Sequence, residues 1–127
     1  MAAGKANKII VLALSILLGA AFIAAGAEKF TPEAVEAFEE WGFPAWFTAV
    51  IGVVELLGAA LVLYPRTRFY GATLLACDMA GAVFTHIRAD EMGMIGPPLF
   101  LLAIAGVVAW LRCPCGRKQA TARQDRG

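Results

Sequence analysis

The apolar run from Thr48 to Leu63 has the character of a membrane helix, yet it carries one carboxylate, Glu55, near its middle. An ionised carboxylate at bilayer depth is costly, so it faces a protein or water-filled interior and needs a partner there. The helical stripe through it agrees. Thr48, Gly52, Ala59 and Val62 share its face, and small residues on one face let neighbouring helices approach closely. Other helices must therefore pack around Glu55.

Further apolar runs supply those helices. The chain has 127 residues, 60% hydrophobic and only 17% charged. Soluble domains average about 45–50% apolar. The charges cluster between the apolar runs, as in a small polytopic membrane protein. The expected fold is all-α, an integral membrane four-helix bundle forming a single domain over residues 1–111. Its helices run over about 9–27, 46–63, 69–87 and 97–111, and residues 112–127 form a basic cytoplasmic tail. A net charge of +1 points to no nucleic-acid partner. There is no Gly-rich phosphate loop, hydrolase nucleophile elbow or HExxH metal motif, and no metal site is expected.

The run from Ile9 to Ala27 is uncharged and close to the roughly 20 residues that cross a hydrocarbon core. Ser15, Gly19, Phe22, Gly26 and Lys29 follow 3-4 spacing and mark its packing face. Ala25-Gly26-Ala27 before Glu28 resembles a signal-peptidase site, but the apolar run exceeds the usual 7–15 residues, so retention is expected. Between the first two spans, Thr31 suits a helix cap, Pro32 its first position and Glu33 its first turn. Ala34, Val35, Phe38 and Trp41 then oppose Glu33, Glu36, Glu39 and Glu40. This predicts a short amphipathic surface helix, ended by Gly42 and Pro44. Trp41, Trp46, Tyr64, Phe69, Tyr70 and Trp110 fall near the expected interfaces, as an aromatic belt would.

Orientation follows from Lys and Arg. Lys5 and Lys8, then Arg66 and Arg68, then Arg112, Arg117, Lys118, Arg123 and Arg126 mark one side; the other two loops hold only Lys29 and Arg88. Four spans with both termini in the cytoplasm satisfy the rule at every loop.

The ionisable groups fall in two layers. Glu55 and Asp78 are each nine residues from an aromatic helix end, near mid-depth; Lys29 and His86 lie near the outer ends. The layers are on the order of 12–14 Å apart, and the spacing leaves a direct Lys29–Glu55 contact open. Asp78 shares a stripe with Gly71, Gly81, Ala82 and Thr85. If it faces Glu55, the two carboxylates cannot comfortably both ionise; the alternative is two separately hydrogen-bonded acids. His86 is the one histidine. It is too little for a metal site, but enough for a proton relay or a hydrogen bond to a quinone carbonyl. A satisfied interfacial histidine is the competing reading. Cys77 is expected to be an inert packing residue. Cys113-Pro114-Cys115 sits among basic residues that favour thiolate and hence redox activity or soft-metal binding; a neutral thiol pair on the tail or a lipidation site is the competing reading, and in a reducing cytoplasm a permanent disulfide is not expected.

Gly26-Ala-Glu-Lys29-Phe30, Gly52-Val-Val-Glu55-Leu-Leu-Gly58 and Gly81-Ala-Val-Phe-Thr-His86 resemble, in their order and helix positions, the DoxX and DoxX-like membrane proteins over about residues 9–111. The resemblance implies a four-helix membrane fold and carries over Lys29, Glu55 and His86 as the polar positions. It also implies a redox-associated membrane subunit or, alternatively, a non-enzymatic scaffold or assembly chaperone. On the first reading Lys29, Glu55 and His86 are catalytic, and Asp78, Thr48 and Thr85 contact a quinone or similar small amphiphile. The outer-facing pocket is lined by Lys29, Glu55 and His86, with Asp78 below. If the protein has an enzymatic role, it is as an oxidoreductase subunit coupled to quinone. The expected partners are the lipid bilayer, a membrane or soluble redox protein and a second copy of the chain. The expected location is a bacterial-type plasma membrane.

Overall fold

The computed structural model describes residues 2–114, with side chains from residue 4 onward. The fold is all-α. Helix α1 spans Ala2–Glu28, α2 Pro32–Glu40, α3 Ala45–Leu63, α4 Arg68–Arg88 and α5 Gly96–Leu111, with a 3-10 turn at Met92–Met94 before α5. The first helix starts ahead of the apolar run at Ile9, because alanine and lysine near its start are strong helix formers. Its 27 residues extend about 40 Å, more than the roughly 30 Å of a hydrocarbon core.

The α2 start follows its local chemistry. Thr31 accepts a hydrogen bond from the Ala34 amide at 3.3 Å, and Pro32 opens the helix. Phe38 is buried, with its ring beside those of Trp41, Phe43 and Phe47. The amphipathic helix thus lies against the start of α3.

Helices α1, α3, α4 and α5 pack side by side in that order, and α5 closes back on α1. Leu18 and Phe22 of α1, Ala59 and Val62 of α3, Ala72, Leu75 and Met79 of α4, and Ile104, Ala105 and Val108 of α5 form the core. The polar stripes point inward. Ser15, Gly19, Phe22 and Gly26 are buried on α1, as are Thr48, Gly52, Glu55, Ala59 and Val62 on α3. The α4 stripe is the exception. Its buried line is Arg68, Gly71, Ala72, Leu75 and Met79, whereas Gly81 is exposed with open space around it. Cys77 is likewise exposed, not packed.

The outside is apolar. Ile16, Leu17 and Ile23 of α1, Val50, Val53 and Leu57 of α3, and Phe100 and Val107 of α5 are exposed. Trp46 and Trp110, near helix ends, are 67% and 81% exposed. Two helices, α1 and α3, are long and apolar enough to cross a membrane; α5 is apolar but shorter.

Candidate functional site

Helices α1 and α3 meet at two glycines. A Cβ on Gly26 would lie 3.1 Å from the Gly52 carbonyl oxygen, and one on Gly52 would lie 3.1 Å from that of Gly26 and 2.9 Å from the Lys29 Cβ. Any larger residue would separate the backbones here. This contact brings Lys29, in the turn just after α1, over the face of α3 that carries Glu55. The Lys29 Nζ donates to Glu55 Oε2 at 3.3 Å and to the Ala25 carbonyl at 3.3 Å. Glu55 is 2% exposed and Lys29 20%. The two-layer placement is thereby corrected for Lys29. The close helix crossing and the length of the lysine side chain bring its charge into the carboxylate layer.

Asp78 of α4 completes the cluster, close enough to Glu55 for a hydrogen bond between the two carboxyls. Among the described residues no donor reaches its buried Oδ2. Two carboxylates offer each other only acceptors, so a bond between them exists only when one carries a proton. Thr48 lies two turns from Glu55 on the same buried face, and its Oγ1 also has no partner among the described residues. One ammonium, two carboxyls and a free hydroxyl therefore mark the inner side of α3. Such a group can hold a proton away from water and offer hydrogen bonds to a small polar ligand.

His86 is not part of that cluster. It lies eight residues beyond Asp78, about 12 Å along the helix. Its Nδ1 is 3.0 Å from Glu91 Oε2, and its ring meets that of Trp41 edge-on at 5.2 Å. The Trp41 Nε1 donates to Glu91 Oε1 at 3.0 Å. Arg88 donates to the Trp41 carbonyl at 2.6 Å and stacks over Phe43 at 5.4 Å. The Trp41 N–H first, and then the His86 contact, hold the Glu91 carboxyl below its ordinary range. These contacts make a clasp between the α2–α3 and α4–α5 connections, with the half-buried Trp41 as a hydrogen-bonding partner. Sequence reasoning passed over Glu91; its one signal is its place just past the end of the helix that carries His86. Thr85 is occupied within its own helix, donating to the Gly81 carbonyl at 2.8 Å.

A cavity of about 290 Å³ lies at the opposite end of the molecule, lined by Pro65, Arg66, Phe69, Tyr70, Arg112 and Pro114. Among the described residues no group of three His, Cys, Asp or Glu is placed to hold a metal. Cys113 is disulfide-bonded, which corrects the expectation of a reduced thiol; Cys115 lies outside the described residues.

The DoxX-like family profile matches residues 13–108, which include Lys29, Thr48, Glu55, Asp78, Thr85 and His86. An uncharacterized membrane protein of Mycobacterium tuberculosis is 36% identical over 89 residues, covering 65% of this chain and 55% of that protein. The chain thus spans about half the length of this curated relative. No solved structure matches it.

Proposed function

The chain belongs to the DoxX-like family of membrane proteins, and from that premise we propose that it is a proton-handling membrane subunit of a redox-associated assembly. It spans the bilayer with four helices, both termini cytoplasmic, and works beside a membrane or soluble redox protein that supplies electrons. The observation that carries this reading is the Lys29–Glu55 ion pair, its carboxylate buried and Asp78 alongside. Intramembrane ionisable groups of this kind mark proton or ligand paths.

The ligand class is a quinone or a similar small amphiphile. The unpartnered Thr48 hydroxyl and Asp78 Oδ2 are buried hydrogen-bonding groups of the kind such a ligand uses. A quinone, when bound, would supply a two-electron, two-proton couple. Glu55 and Asp78 hold one shared proton between them, Lys29 offsets the single negative charge of that pair, and Thr48 orients an oxygen. His86 and Glu91 stand at the outer end, where protons exchange with water. Lys29 is the part of the cluster open to the surface.

The second reading is a scaffold or assembly chaperone. Its support is the tight sealing of Glu55, since a complete buried pair between tightly packed helices also fixes register. Four variants separate the two: Glu55→Gln, Lys29→Met, His86→Gln and the Glu55→Gln/Lys29→Met double. Leaving a buried charge unpaired costs about 3–5 kcal/mol, so on either reading the two single variants at the pair melt well below the double in detergent. On the proton-handling reading the double is stable but loses co-purifying quinone, measured by extraction and mass spectrometry, and His86→Gln retains ligand with slowed turnover. Wild-type ligand retention and turnover in all four would leave the scaffold standing.

A further inference from the structure

The end of the molecule remote from Glu91 gathers positive charge that no carboxylate pairs among the described residues. Arg68, at the first position of α4, is 6% exposed and spends its donors on the last carbonyls of α3, Val62 at 2.8 Å and Leu63 at 3.1 Å. Arg112, just past α5, donates to the Pro65 carbonyl at 3.1 Å and lies close enough to Arg68 for the two guanidiniums to repel. Arg66, in the turn between α3 and α4, is exposed and makes no hydrogen bond among the described residues. No described carboxylate pairs with any of the three; the described ion pairs involve Glu55 and Glu91. Between Arg66 and Arg112 lies the cavity of about 290 Å³, walled by the Phe69 and Tyr70 rings. Tyr70 is 60% exposed, and so, at 81%, is Trp110, two residues before Arg112 in the chain.

We propose that this cavity binds the phosphate headgroup of an anionic phospholipid. Arg66 and Arg112 would hold the phosphodiester by charge-assisted hydrogen bonds, and the acyl chains would lie against the exposed rings of Tyr70 and Trp110. The volume is at the small end for a ligand pocket, so it takes a headgroup and leaves the chains outside. Basic pockets at the cytoplasmic side of membrane helices suit this chemistry. The proposal rests on the cytoplasmic orientation given above for the 64–67 turn.

The test is native mass spectrometry of the full chain in detergent, titrated with phosphatidylglycerol, with phosphatidylcholine as a zwitterionic control. Wild type should retain phosphatidylglycerol at least tenfold better than phosphatidylcholine, and Arg66→Gln/Arg112→Gln should lose that preference. Arg66→Glu alone, at an exposed side chain with no hydrogen bond to break, should weaken it as well without lowering the melting temperature. Equal retention of both lipids by wild type, or an unchanged preference in a folded double variant, overturns the proposal. Displacement of the lipid by millimolar inorganic phosphate would make the ligand a free phosphate and overturn the lipid assignment. A reporter after Gly127 reads the orientation separately, so a wrong topology and an absent lipid site give different results.

Discussion

Thr48 and Glu55 share one buried face of α3, yet one has a partner and the other has none. That difference is testable at Thr48. Thr48→Val removes an unsatisfied buried hydroxyl while keeping its shape, and such a group costs about 1–3 kcal/mol when left unpaired. The variant should melt at or above wild type in detergent. If Thr48 orients a ligand, the same variant should bind quinone several-fold more weakly, read by ligand retention. A large loss of stability would mean that the hydroxyl has a structural partner. The stripe holding both residues was legible in the sequence because helical periodicity decides which side chains share a face. The Lys29–Glu55 contact was not, because it depends on how closely two backbones approach. Gly26 and Gly52 suggest such an approach, but the crossing itself comes from packing between segments distant in the chain.

The elements meet through similar small-residue contacts. A Cβ on Gly71 of α4 would fall on the backbone of α3 at Leu61 and Val62. Gly71→Ala must push the helices apart, and overpacking of this kind costs about 1–3 kcal/mol. It should lower the melting temperature, whereas Gly81→Ala, facing open space, should not. The clasp at the other end of α4 responds to pH through Glu91. Its folded-state pKa is depressed from an ordinary 4.5, mainly by the Trp41 N–H and then by His86. A depressed carboxyl pKa contributes stability that is full above the unfolded value and lost as pH falls through the folded one. Wild type should therefore exceed Glu91→Gln in melting temperature at about pH 6, and the gap should narrow as pH falls below the ordinary 4.5 and vanish below the depressed folded-state pKa. A gap that persists in acid would remove Glu91 from the clasp. The cap and first turn of α2 were readable from Thr31-Pro32-Glu33. The clasp was not, since Trp41 and Glu91 are fifty residues apart and only the packing of two connections joins them.

For the whole molecule, the closing of α5 onto α1 makes a ring of four helices. Its outward side chains are apolar, and its inward stripes hold small and polar residues. The helical segments and the inward faces of α1 and α3 followed from alternating apolar and charged segments, while the buried line of α4 did not. The two layers separated His86 from the carboxylates, but the inward reach of Lys29 and the Trp41–Glu91 contact of the clasp were not legible. The proposed topology predicts that a reporter after Gly127 is cytoplasmic and one inserted near Glu36 is external; the opposite result at either site would overturn it. Mass spectrometry of the mature N-terminus tests retention of α1, and a chain beginning at Glu28 would refute it. The order of the helices along the chain also bears on biosynthesis. In the proposed four-span topology α1 and α3 are made before α4, so Lys29 and Glu55 would reach the insertion machinery together on a two-helix hairpin. Each would be a poor passenger alone. Paired, they enter as a neutral unit, and Asp78 arrives later to a site whose charge is already balanced.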